Sequence, residues 1–243
     1  MRELGRRFDR ADPEAVVVFT PHNVHVEGSL AVITAGRVEG SLASWEPGTE
    51  HVRVSVPTDL ELAGNVLAKL RAAGLPALAV SFGDNDAPTS MMPVDWATLI
   101  PMWYLGGRRE SPVPTVVVAP ARELDASAHE AAGRAVASAC ERAGPVAVIA
   151  SADHGHGHRE DGPYGYSAAS APFDERIVEI VRSGRLSDLL DIDRDFVEAA
   201  KADSWWQLLM LHGVLGDGAW RADLISYEAP TYFGMLCACF EPT

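Results

Sequence analysis

Four short runs of this chain consist almost entirely of small and β-branched apolar residues: 15-AVVVFT-20, 30-LAVITA-35, 114-PTVVVA-119 and 145-PVAVIASA-152. A run that is apolar at nearly every position has no side to offer water, so it has to be buried on both. Between such runs lie helical stretches, and that alternation restricts the chain to one kind of architecture. It predicts an α/β fold in a single domain over residues 1–243, with a central mixed sheet and helices on both faces. No repeat, low-complexity tract or long linker interrupts the pattern.

The other elements follow from local signals. Residues 2–11 read as a helix, and 51-HVRVSV-56 alternates as a half-buried strand does. Thr58 caps a helix with Asp59 and Glu61 in its first turn, apolar through Leu70 and stopped by Gly74 and Pro76. A strand follows at 77–82, then a loop at 83–88. Further helices are predicted over 124–143, 172–183, 186–190 and 194–211, and strands at 222–228 and 231–240.

Composition excludes several function classes. A formal net charge of −14 leaves no basic surplus to displace counterions from a nucleic-acid backbone. No run approaches the ~20 apolar residues needed to span a bilayer. The opening MRELGRRFDRADPE is charged throughout and lacks the apolar core of a secretory signal. Three cysteines, Cys140, Cys237 and Cys239, do not make a disulfide framework and read as small core residues. The expected compartment is therefore the cytoplasm, with neither a nucleic acid nor a membrane as partner.

Ligands of open α/β sheets gather at the carboxyl ends of strands. Two such ends carry histidines: 20-TPHNVHVEG-28 after the first apolar run, and 150-ASADHGHGHREDGPYGY-166 after the fourth. His22 follows Pro21, whose fixed φ limits the local conformations, and a neutral imidazole there suits Fe(II) or Zn(II). His25 is a substrate-facing candidate or a surface residue. If 154–158 were fully extended, His154, His156 and His158 would project to one face, a spacing that also allows a zinc hydrolase. The glycines at 155 and 157 allow a looser path, in which a single inward His156 would suit a general acid/base. A 2-His-1-carboxylate iron site needs a carboxylate as well. Asp203, in 200-AKADSWWQLLMLHGVLG-216, competes for that role with Glu27, Glu198 and Glu228, and would otherwise cap a helix. Arg37, Arg53 and Arg159 are candidate contacts for a substrate carboxylate.

Taken in order, TPHNVHVEG, SADHGHGHREDGPYGY, AKADSWWQLLMLHGVLG and SYEAPTYFGM resemble class III extradiol ring-cleavage dioxygenases, in particular the subunit-B-type proteins of the protocatechuate 4,5-dioxygenase catalytic-subunit superfamily. The similarity runs along nearly the whole chain. It implies a ferrous enzyme that opens a small aromatic diol with O2; Zn(II) is the metal of the alternative, a hydrolase using His154, His156 and His158. His22 matches the family's second iron-binding histidine, and His156, five residues before Asp161-Gly-Pro, matches its acid/base histidine. Asp203 falls nearest the family's carboxylate ligand. His25, Trp96 and His158 are then expected beside the substrate.

The match has three departures. The family's first strand, with its first iron-binding histidine, has no counterpart before MRELGRRF. The stretch 94-VDWATLIPMWYL-105 has Asp95-Trp96 where ring-cleaving members commonly carry Asp-His. An aspartate stands near the glutamate position. The first departure predicts an open sheet edge that a second copy would cover, giving a homodimer. Together they keep open a non-catalytic binding protein on the same fold.

Overall fold

The computed structural model describes residues 1–84, 86 and 88–243, so the loop read at 83–88 lies partly outside the described residues. The elements run α1 (Arg2–Ala11), β1 (Ala15–Phe19), β2 (Leu30–Ile33), β3 (Arg37–Ser41), β4 (Arg53–Pro57), α2 (Leu60–Ala72), β5 (Ala77–Val80), β6 (Met91–Pro93), α3 (Trp96–Tyr104) and β7 (Thr115–Ala119). They continue with α4 (Ala126–Cys140), β8 (Val146–Ala150), α5 (Ser170–Ser183), α6 (Arg194–Ala200), α7 (Trp205–Leu215), β9 (Trp220–Glu228) and β10 (Met235–Pro242).

Five strands form the central sheet in the order β5-β2-β7-β1-β8. β1 runs parallel to both β7 and β8, β2 is parallel to β5, and the β2–β7 pairing is antiparallel, so the sheet is mixed. Both faces are covered. Val17 and Phe19 of β1, with Val32, Val116 and Val118, pack against Leu62, Val66 and Leu70 of α2 and Ala132 and Val136 of α4. The alternate residues Val16 and Val18, with Ile33 and Val117, meet Phe8 of α1 and Leu99 and Met102 of α3. Burying each such side chain contributes roughly 1.5–3 kcal/mol, which is why the strands read as unbroken apolar runs.

The half-buried strand predicted at 51–56 forms as β4, in a separate three-stranded sheet, β4-β3-β6. Val54 and Val56 point into the core while Arg53, Ser55 and Pro57 face outward, a pattern that suits a sheet buried on one side only. The helix predicted over 194–211 is two helices. Lys201 adopts the left-handed conformation (φ 55°) and ends α6, and Asp203 donates its backbone N–H to the carbonyl of Asp153 at 3.1 Å instead of to a helical partner. The stretch 186–191 is a 3-10 turn.

β9 and β10 pair antiparallel with a register shift between Cys237 and Ala238. α7 crosses α4 at backbone contact: a Cβ on Gly133 would collide with the Met210 carbonyl, and one on Gly213 with the Glu130 carbonyl. Among the described residues no helix is long and apolar enough to cross a membrane.

Candidate active site

Because β7, β1 and β8 are parallel neighbours, their carboxyl ends open at the same edge of the sheet. β1 leads into Thr20-Pro21-His22, β7 into the turn bearing Arg122, and β8 into Ser151 and the His-rich segment. Two further elements close on that edge. Asp95 caps α3, its side chain accepting from the backbone N–H of Thr98, and Asp203 projects from the break before α7.

His22 stands between two carboxylates. Its Nδ1 lies 3.3 Å from Asp95 Oδ2 and its Nε2 lies 3.3 Å from Asp203 Oδ2. The hydrogen bond to Asp203 first, and that to Asp95 second, outweigh burial and push the imidazole up to about 9. Asp95 Oδ2 also accepts the backbone N–H of Asn23 at 3.0 Å. Asp203 Oδ1 is paired with Arg122 Nη2 at 2.8 Å, and the Arg122 guanidinium lies over the Trp206 ring, 5.0 Å from its centroid. Burial raises the Asp203 carboxyl, but the bond to His22 and the charges of Arg122, His156 and His22 together hold it below the usual carboxylate range. Asp153 goes the other way. Its burial, reinforced by the charges of Asp203 and Asp95, lifts it above its ordinary value.

The segment 153–158 is held on both sides. His154 N–H donates to the Gly234 carbonyl and His158 N–H to that of Tyr232, while His156 N–H donates across to Ala200. The two glycines are there for packing. A Cβ at Gly155 would stand 2.8 Å from Ser170 Cα, and one at Gly157 would stand 2.7 Å from the Ser167 backbone nitrogen. The three imidazoles turn to three different partners. His154, fully enclosed, places Nδ1 2.9 Å from Ser204 Oγ, and burial pushes it down to about 4. His158 Nε2 lies 2.8 Å from Asp174 Oδ2. His156 Nδ1 lies 2.8 Å from the Lys201 carbonyl oxygen.

That last contact fixes a tautomer. A carbonyl oxygen can only accept, so Nδ1 carries the hydrogen and Nε2 of neutral His156 keeps its lone pair. The ring stacks on Phe233 (5.5 Å, 19°) and meets the edge of Tyr164 (5.6 Å, 89°). The flanking residues of the segment are tied to Asp174, a wholly buried carboxylate that accepts from Gly155 N–H (2.7 Å), the Tyr227 hydroxyl (2.6 Å) and His158 (2.8 Å). Three donors offset the desolvation of that charge.

His22 and Asp203 are thus brought together, with His156 within electrostatic reach and Trp96 lying edge-on to His22 at 5.1 Å. His25 is not; it pairs with Glu123 at 3.1 Å on the surface, more than half exposed. His158 is taken up by Asp174, so the three-histidine run does not form one ligand cluster. Sequence reasoning missed Asp95, Arg122, Asp153 and Asp174 as parts of the site. Asp95 had a signal, since D-W-A-T is an N-cap opening; Arg122 and Asp174 meet their partners only through the fold.

Residues 1–237 match the family model described as the catalytic LigB subunit of aromatic ring-opening dioxygenase. Protein CA_C1420 of Clostridium acetobutylicum is 22% identical over 218 residues, covering 89% of this chain and 46% of that protein. The chain therefore spans about half the length of this curated relative. The crystal structure of uncharacterized protein JW3007 from Escherichia coli K12 superimposes with a TM-score of 0.62 at 17% identity, over 98% of this chain and 89% of that one, and shares its fold.

Proposed function

This chain belongs to the family of catalytic LigB subunits of aromatic ring-opening dioxygenases, and from that membership we propose that it is an extradiol dioxygenase opening a small aromatic diol with O2 and ferrous iron. One observation carries the reading: an imidazole clamped between two carboxylates at a strand end, beside a second imidazole held as a ready base.

The donor chemistry suits a divalent ion at two positions once the ion displaces the proton that His22 holds toward Asp203. His22 Nε2 and Asp203 Oδ2 face each other, while Asp95 accepts from Nδ1, the carboxylate–histidine arrangement that orients a metal-binding imidazole. No group of three or more candidate ligands assembles among the described residues, and His22 and Asp203 are the two that would hold the ion. When bound, a ferrous ion supplies open coordination positions for diol and O2 and a Lewis acid for the diol oxygens. The chain's own residues do the rest. Arg122 holds Asp203 ionised and in place, and Asp95 fixes the His22 ring. His156 Nε2 takes a diol proton as general base, its tautomer set by Lys201. Phe233, Tyr232 and Tyr164 wall His156 with aromatic faces against which a planar substrate packs.

The test is oxygen uptake. Protein loaded anaerobically with ferrous iron is mixed with catechols, and O2 consumption is followed together with the ring-opened chromophore. Equal consumption and product formation, lost when zinc replaces iron, is the expected result; iron-loaded protein that consumes no O2 with any catechol overturns the proposal.

A further inference from the structure

β5 is an edge strand of the central sheet, paired with β2 on one side only. Its main chain alternates along 76–82. The carbonyls of Pro76 and Val80 turn inward to the N–H groups of Leu30 and Thr34 (2.9 and 2.8 Å), and that of Phe82 turns to the N–H of Met91 at 3.2 Å. The odd-numbered residues therefore turn their N–H and C=O groups outward. The Ala77 carbonyl accepts from Arg71 Nε at 3.1 Å. Among the described residues, the main-chain groups of Ala79 and Ser81 meet no partner.

The side chains along that edge leave it open as well. Leu78 is 44% exposed and Phe82 59% exposed, and neither joins any part of the core. Both share a sheet face with Val80, which lies midway between them. Edges that stay single carry a charge, a proline or a bulge. Residues 77–82 have no charge and no proline, and the β2–β5 register is regular. The opposite edge strand differs, because every side chain of β8 packs against the core.

We propose that the homodimer expected from an open sheet edge forms through β5, which pairs antiparallel with β5 of a second copy about a two-fold axis at Val80 and joins two central sheets into one. A single register answers both features of the edge. It sets Ala79 opposite Ser81 of the second copy as a hydrogen-bonded pair, so the main-chain groups left open on each strand satisfy one another. It also sets Leu78 opposite Phe82 of the second copy at the closer, non-hydrogen-bonded positions, where the exposed apolar side chains cover each other. An axis at Ala79 would instead place Phe82 opposite Pro76 and call on the Ala77 carbonyl that Arg71 already holds. With the axis at Val80, Arg71 comes to the end of the pair where Asp84 of the second copy stands, so unlike charges meet at both ends. The pairing is independent of the metal and of the reaction.

Sedimentation velocity on the full chain over about 1–100 μM tests it. A dimer of about 52 kDa, twice the 26.0 kDa of one chain, is expected within that range. Leu78→Lys and Phe82→Glu, both at exposed positions, each raise the dissociation constant at least about tenfold with an unchanged far-ultraviolet circular dichroism spectrum. Mixing the two variants restores the dimer, because the new ammonium at 78 then faces the new carboxylate at 82. A chain that stays monomeric over the whole range, a dimer indifferent to both substitutions, or a mixture that associates no more tightly than either variant alone overturns the pairing.

Discussion

His22 Nε2 and Asp203 Oδ2 lie 3.3 Å apart although 181 residues separate them in the chain. One comes from the end of β1 and the other from the break between α6 and α7, so each reports on a different part of the fold. Their approach depends on the parallel β1–β8 pairing, which brings Asp153 to the backbone N–H of Asp203.

Anaerobic titration with ferrous ion is expected to saturate at about one ion per chain. His22→Ala and Asp203→Asn each abolish tight binding. Asp95→Asn, which leaves both donors in place but loosens the His22 ring, lowers affinity about 10–100-fold. Full affinity in Asp203→Asn would remove that carboxylate from the ligand set.

His156→Asn is expected to lower turnover by about 10^2–10^4-fold while leaving iron content unchanged, because it removes the base and neither proposed ligand. Loss of iron in this variant would show that His156 is a ligand and not the proton acceptor.

His154 makes stability sensitive to acid. Enclosed beside Ser204, with Asp174, His156 and His158 the nearest charges, it is pushed by burial from 6.5 to about 4. Above pH 6.5 folded and unfolded chains are both neutral there. As the pH falls from about 6.5 through 4, the unfolded chain takes up a proton that the folded one refuses, and about 3 kcal/mol of stability is lost. Urea unfolding at pH 7 and pH 4.5 measures this. His154→Gln is expected to flatten the difference, and a variant as acid-sensitive as the parent would place the titration elsewhere.

Asp174→Asn leaves the His158 pair and the Tyr227 hydroxyl without a charged acceptor in a fully buried position. A destabilisation of about 3–5 kcal/mol is expected, with roughly 1.5–3 kcal/mol for Tyr227→Phe. Both act on one carboxylate, so the double variant should fall short of their sum. Strict additivity would mean that the two contacts are independent.

How far the sequence carried differs between fold and site. The apolar runs at 15–20, 30–35, 114–119 and 145–152 were legible because burial on both faces leaves a strand no polar position, and all four form central strands. β3 and β6 were not. They are short, and Arg37, Glu39 and Ser41 carry no apolar periodicity to read. The break at 201–204 was hidden for a related reason, since apolar spacing continues through it while left-handed Lys201 ends α6 and the distant carbonyl of Asp153 takes the Asp203 N–H. In the site, His22, His156 and Asp203 were singled out by residue type and position. Their carboxylate and guanidinium partners, Asp95 and Arg122, depend on which loops share one sheet edge, and local pattern does not encode that.

The tautomer of His156 is set by a main-chain oxygen, that of Lys201, and every amino acid has one. No side-chain replacement at position 201 deletes the acceptor, so the proton-accepting nitrogen is shielded from point mutation in a way that a side-chain carboxylate partner would not be. The exposure lies in the backbone angle instead. Glycine and asparagine accept a left-handed turn at little strain, while valine or isoleucine would disfavour it by about 1–2 kcal/mol and swing the carbonyl away. What this contact asks of position 201 is therefore a backbone shape, whatever side chain stands there.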